Sequence, residues 1–405
     1  MSPLANRTLT RALGTALFLT GLFGPAPLRA QSPVRVLTFD PTRSKTCGSL
    51  DFNFVSGGFH SVVRSNLLAT ANFGAGGTVG RPIQLQPQVC CLTPEALADA
   101  DVVLISSLGK GLQSCELEAV GDFVQQGGGL FFFANAAASE LGATFGASAV
   151  TASCAGGTAT VVDPASPLVS GPFGVVSGPW TMACTARFTD VGPNGNVVLT
   201  IDAPICATFQ VGSGRAVLFN DEEWCGNQSQ AGCAVGSMPN VERERLFNNA
   251  VAWMIPPQGF QYVPGPACSG GTSYCTGAPN SVGAGATLSM TGSTSHAAND
   301  LVLVASGAVP GAFGVFFYGE AQSQVPFGDG FRCVESPLYL FMPGVQADAS
   351  GTATYAVDFG IPPASSGPGA IAPCSTLYFQ YWYRDPAAGG AGFNLSDGLE
   401  ITVVP

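Results

Sequence analysis

The sequence predicts two unlike halves: an α/β domain with a doubly wound, mainly parallel sheet over residues 33–256, and an all-β antiparallel sandwich over residues 271–405, joined by a linker at 257–270. Three observations carry this reading. Up to Ile255, short apolar runs alternate with segments of helical period, the pattern of β and α units laid into one sheet. At Pro256-Pro257-Gln258-Gly259 and Pro264-Gly265-Pro266 the chain turns rich in Pro and Gly, as joins between domains do. Beyond them the helical period vanishes, and six short alternating segments follow.

In chain order, Val34–Phe39 is a short apolar strand ending in Asp40. His60–Asn72 has a helical pattern with weak caps. Thr93-Pro94-Glu95 supplies an N-cap, a first-turn proline and a first-turn acid for a short helix to Ala100. The run from Asp101 to Ser106 has lost all alternation, as parallel strands covered on both faces do. Ser114 is placed to cap a helix whose Leu117, Val120, Phe123 and Val124 recur at three- and four-residue spacing. Gly127-Gly128-Gly129 stops it, and Leu130–Phe133 is a second buried strand. Val150–Gln210 reads as an inserted antiparallel section, Arg215–Phe219 as a strand and Asn240–Ile255 as a helix facing inward through Leu246, Phe247, Val251 and Met254. The sandwich strands are expected at Ala286–Met290, Leu301–Ala305, Gly314–Tyr318, Thr352–Asp358, Leu377–Trp382 and Leu399–Val404, with Gly, Asn, Asp and Pro between them.

Composition narrows the function. The chain begins with Arg7 and Arg11, an apolar run at Ala12–Phe23 and a small residue, Ala30, before Gln31, so residues 1–30 read as a cleaved signal peptide. The run is too short to span a bilayer, and no second apolar run of 18 or more residues exists. Export places the protein in the periplasm, on the cell surface or outside the cell, where disulfides persist. The net charge is −11, and loss of the leader removes only basic residues, so nucleic acid and anionic membranes are disfavoured partners. Thirteen cysteines, an odd number, imply disulfides with at least one thiol left over. Spacing suggests Cys225 with Cys233, Cys184 with Cys206, and two bridges among Cys268, Cys275, Cys333 and Cys374. With His60 and His296 as the only histidines, no metal site is expected.

The run Ala100-Asp101-Val102-Val103-Leu104-Ile105, the Ser114–Gln126 helix, Gly127-Gly128-Gly129-Leu130-Phe131-Phe132-Phe133 and the closing Gly214–Asp221 resemble the class I glutamine amidotransferase-like superfamily, flavodoxin-like in fold. That resemblance implies a nucleophile at the elbow after Leu130–Phe133 and a late histidine. Here the elbow reads Ala134-Asn135-Ala136-Ala137-Ala138, the late region reads Asn220-Asp221-Glu222-Glu223-Trp224, and no cysteine has a base within sequence reach. The expectation is a member without catalytic residues. In an open α/β sheet the crevice lies beyond the carboxyl ends of the strands. Asp40, Asn135, Asp221, Glu222 and Glu223 follow strand ends, and their oxygens would suit calcium or a hydroxyl-rich sugar; the plainer alternative is an acidic loop facing water. His60, after Gly57-Gly58, is expected as a partly exposed cap near the same crevice. No other cofactor is expected.

In the second half, Tyr274–Gly283, Val315–Gly319, Pro326–Cys333, Phe379–Pro386 and Phe393–Asp397 resemble an uncharacterised C-terminal module of exported bacterial proteins that is appended to varied partners, which implies display, adhesion or sorting. Strand alternation puts Tyr381 and Tyr383 on one face and Trp382 on the other. If Trp382 is buried, the tyrosines form an exposed strip able to stack on sugar rings; the simpler arrangement has Trp382 and Phe379 in the core and Arg384 paired with Asp385. The sequence thus reads as a secreted or surface-displayed, non-catalytic protein that binds a polysaccharide or cell-surface component. The second reading is an exported hydrolase of carbohydrates or esters working through Asp40 and the Asp221–Glu223 cluster.

Overall fold

The computed structural model describes residues 31–109, 111–134, 141–149, 155–230, 234–235, 241–265 and 270–405. The leader, Asn135, Cys233 and Cys268 lie outside them. Strands β1 (Val34–Thr38), β2 (Ile83–Leu85), β3 (Val102–Ile105) and β4 (Gly129–Phe133) are followed by β5 (Ala155–Val161), β6 (Trp180–Thr185), β7 (Gly195–Thr200), β8 (Pro204–Val211) and β9 (Gly214–Phe219). They form one nine-stranded mixed sheet in the order β6-β5-β7-β8-β9-β4-β3-β1-β2. The pairs from β2 to β9 are parallel, and β8, β7, β5 and β6 extend the sheet antiparallel, where the sequence places its inserted section.

Both faces of the parallel part are covered, which is why its strands read as unbroken apolar runs. Val102, Leu104, Phe131, Phe133, Val217 and Phe219 share one core with helices α1 (Ser61–Leu68) and α4 (Val241–Met254). The alternate residues Val103, Ile105, Leu130, Phe132, Ala216 and Leu218 share the other with α2 (Pro94–Leu97) and α3 (Ser114–Gln126). Thr93 caps α2 by accepting the Ala96 amide, as its residue type predicts. The N-cap of α3 is Gln113 and not Ser114: its amide donates to Glu116 Oε2 at 2.9 Å. Glu116 is a buried hub that also accepts from both Arg43 Nη atoms and from the Leu92 amide.

The C-terminal half is antiparallel. Strands β10 (Thr272–Tyr274), β19 (Gly398–Thr402), β17 (Thr376–Arg384) and β13 (Phe313–Gly319) form one sheet, with β18 (Phe393–Leu395) also on β17. Strands β11 (Thr287–Thr291), β12 (Val302–Ser306) and β16 (Ala353–Ala356) form the second, and Leu303, Phe316, Phe379, Tyr381 and Ile401 fill the space between. A hairpin of β14 (Gln322–Phe327) and β15 (Gly330–Val334) lies over the outer face of the larger sheet. Buried Gln380 staples it there, accepting from the Cys333 amide and donating to the Phe331 carbonyl. No helix among the described residues is long and apolar enough to cross a membrane.

The cysteines pair only in part as the sequence expectation has it, since Cys275–Cys333 falls within the expected group and the other observed pairing does not. Cys275 bonds Cys333, fixing the hairpin to the sandwich, and Cys374 bonds Cys90, tying the two halves together. Cys184 is in a disulfide, but Cys206 is a free thiol in the middle of β8, so no bridge joins them. Cys225 is likewise free and buried, so no Cys225–Cys233 staple forms. Spacing ranks pairs by closeness in the chain, whereas geometry selects them across the fold.

Candidate functional site

The crevice at the carboxyl ends of the parallel strands is filled by the chain itself. After β1 the chain runs through a small hairpin (Thr46–Cys47 with Leu50–Asp51) and returns across the strand ends. Asn53 Nδ2 donates to the Phe39 carbonyl at 3.1 Å, Ser106 Oγ to the Phe52 carbonyl at 2.8 Å, and the Lys45 amide to the Ser107 carbonyl at 3.1 Å. Phe52 and Phe59 are fully buried and Phe54 is 2% exposed. These bonds and rings occupy the place where a ligand of an open α/β sheet would sit.

The acids that follow β9 turn inward. Asp221 Oδ1 accepts the amides of Glu223 and Trp224, capping the short turn Glu223–Cys225, and its Oδ2 is buried with no hydrogen-bond partner. Burial, and then the neighbouring carboxylates of Glu222 and Glu223, raise the Asp221 carboxyl well above the usual range. Glu222 is buried and paired with Lys45 Nζ at 2.9 Å. The acidic loop facing water is therefore replaced by a buried acidic turn. Asp40 faces elsewhere: its Oδ1 takes the amide and hydroxyl of Thr42, and it lines a cleft at the domain junction whose walls include none of Asp221, Glu222 and Glu223. The two ends of the supposed hydrolase pair do not meet in that cleft.

One contact escapes sequence reading altogether. Cys225 Sγ lies 3.7 Å from His60 Nδ1, a thiol beside an imidazole across 165 residues of sequence. His60 is not a partly exposed cap; it has no exposure and packs edge-on against Phe59 and Phe133. Burial, and then Arg64, lower its pKa to about 3, so the ring is neutral. Burial, and then Asp221, push the Cys225 thiol well above its ordinary value. A nucleophilic cysteine needs the thiolate and an approach path. This one is a protonated thiol resting on a neutral ring inside the core. Among the described residues no group of three or more His, Cys, Asp or Glu is placed to hold a metal ion.

The sandwich corrects the aromatic expectation. Tyr381 and Tyr383 are fully buried with Phe379, and Trp382 is the residue of that run that faces out, half-buried. Alternation gave the parity of the faces, and the core took the tyrosine side. Asp385 accepts the Ser281 amide while Arg384 is exposed, so the two do not form the local pair. Trp382 lines an apolar groove of about 270 Å³ with Phe317, Phe327, Leu340 and Arg332, and Phe327 and Leu340 are 46% and 49% exposed. Phe393 links the rings, its centroid 5.6 Å from Trp382 and 5.3 Å from Phe327.

No family model matches the chain, and no curated protein matches it. Among solved structures it is similar to a cytoplasmic protein from Salmonella typhimurium, 16% identical, over 55% of this chain and 99% of that one, with a TM-score of 0.37. It is also similar to two ThuA-like proteins. One, from Bacteroides uniformis, is 12% identical over 58% of this chain and 97% of that one, with a TM-score of 0.39. The other, from Parabacteroides merdae, is 14% identical over 57% of this chain and 93% of that one, with a TM-score of 0.36. Likenesses of this size bear on neither chemistry nor partner.

Proposed function

We propose that the protein is an exported, non-catalytic binding protein in which a doubly wound α/β domain is a closed scaffold and the β-sandwich presents the Trp382 groove to neutral polysaccharide. The observation that carries this is the groove: large aromatic rings held open to solvent by a hairpin that a disulfide and buried Gln380 fix in place. Aromatic plates of this kind offer wide contact area at small entropic cost, suited to the C–H faces of sugar rings. The only cation of the lining is Arg332 and the chain carries a net charge of −11, which favours a neutral ligand over a polyanion. The closed crevice and the protonated, buried Cys225 support the absence of chemistry in the first half.

The test is retention of the purified protein on insoluble neutral polysaccharides and on a glycan array. Trp382→Ala is expected to weaken retention at least about tenfold, the loss typical of a central aromatic contact, with the unfolding midpoint little changed. Wild-type protein that is retained on no glycan, or Trp382→Ala protein retained as well as wild type, would overturn the proposal.

A further inference from the structure

We propose that the cleft at the domain junction is a second, independent binding site, and that its ligand is a small organic cation with an apolar body and ammonium or guanidinium groups. The cleft measures about 600 Å³, within the roughly 300–1,000 Å³ of small-molecule pockets, which favour domain interfaces. Its walls come from both halves and are pinned. On one side Asp40 N donates to the Val89 carbonyl at 2.8 Å; on the other Val404 N donates to the Thr294 carbonyl at 3.0 Å and His296 N to the Val404 carbonyl at 2.8 Å. The Cys90–Cys374 disulfide ties one wall to the other, with Cys90 itself in the lining. A site built in this way is formed before its ligand arrives.

The lining chooses the ligand's chemistry. Several of its neutral polar donors are already engaged, Ser293 Oγ with Asp300, Ser295 Oγ with the Pro405 carbonyl and Gln88 Nε2 with Thr38 Oγ1 and Asn53 Oδ1, while Thr93 Oγ1 accepts the Ala96 amide. The charged side chains of the lining are carboxylates, Asp40 and Glu95, the latter exposed on the first turn of α2. Cys91, the other ionisable side chain of the lining, stays a neutral thiol, pushed up to about 12 by burial and then by Glu116. Among the described residues no lysine or arginine lines the cleft. Carboxylates are best met by a ligand that brings charged donors, and a cleft of one sign concentrates the opposite charge. The apolar stretches at Val89, Ala96, Val404 and Pro405 call for a ligand with a hydrocarbon body rather than a bare metal ion, for which the described residues provide no cluster.

The experiment is isothermal titration of the full, oxidised chain with octane-1,8-diamine and with octane-1,8-diol, which has the same body without the charge. The diamine is expected to bind at least about tenfold more tightly than the diol, and to weaken as salt is raised. Asp40→Asn combined with Glu95→Gln is expected to remove that preference. Glu95→Gln alone, at an exposed position outside the core, is expected to reduce it at least about threefold and decides the matter if the double variant misfolds. Equal binding of diol and diamine, no binding of the diamine, or an unchanged preference in the folded variants would overturn the proposal. None of these outcomes depends on the Trp382 groove.

Discussion

Replacing His60 by glutamine and following stability with pH tests whether burial makes the His60 ring resist protonation. The folded-state pKa of His60 is about 3, below the ordinary ~6.5, so between these values the unfolded chain binds the proton and the folded chain resists it. The stability that a neutral His60 permits is complete above about pH 6.5 and is lost as pH falls toward 3. From about pH 7 to about pH 4.5 a histidine with these two pKa values costs the fold roughly 2–3 kcal/mol. Asp221, whose carboxyl burial pushes up, works in the opposite sense and favours the fold as pH falls. It is present in both proteins, so the difference between wild type and His60→Gln isolates the ring. Urea unfolding at several pH values gives that difference directly, and wild type is expected to lose roughly 2–3 kcal/mol relative to the variant over this interval. A constant difference would mean that the ring protonates freely. A difference of opposite sign would mean that the fold holds the ring protonated, with its pKa raised above the ordinary ~6.5 rather than lowered.

The remaining predictions concern access and the hub beneath the crevice. Alkylation of Cys225, resolved by peptide mass spectrometry, is expected to be at least about a thousandfold slower in native than in unfolded protein, because reaching a fully buried thiol requires an opening that costs several kcal/mol. Native labelling within about tenfold of the unfolded rate would show an open path. Glu116→Ala strands the Arg43 guanidinium, whose side chain is 4% exposed, and is expected to cost about 3–5 kcal/mol by urea unfolding. Arg43→Met with Glu116→Leu together are expected to recover most of that loss, and a single-variant cost below about 1 kcal/mol would refute the role given to the hub.

Much of the scaffold is legible in the sequence because burial on both faces writes itself into composition. Val102–Ile105 and Gly129–Phe133 read as strands through unbroken apolarity, and α3 through the recurrence of Val120, Phe123 and Val124. What failed to show depends on separation or on sign. Lys45 meets Glu222 across 177 residues and Cys90 meets Cys374 across 284, and no local pattern encodes either. In β17 alternation fixes that Tyr381 and Tyr383 oppose Trp382 but not which side is core. The outer face carries its own apolar layer, Phe317, Val334 and Leu395 under the β14–β15 hairpin, so residue type on the two faces differs little.

The same interior sets the cost of opening the crevice at the strand ends. Admitting a substrate at the strand ends means displacing Phe52, Phe54 and Phe59, all buried, from the segment that crosses them. At about 1.5–3 kcal/mol for each phenylalanine returned to water, that displacement costs roughly 5–9 kcal/mol before any hydrogen bond is counted. A domain's whole stability is about 5–15 kcal/mol, so such an opening approaches the cost of unfolding. Two surfaces are open without such a cost, the Trp382 groove walled by the β-sandwich and the junction cleft walled by both halves.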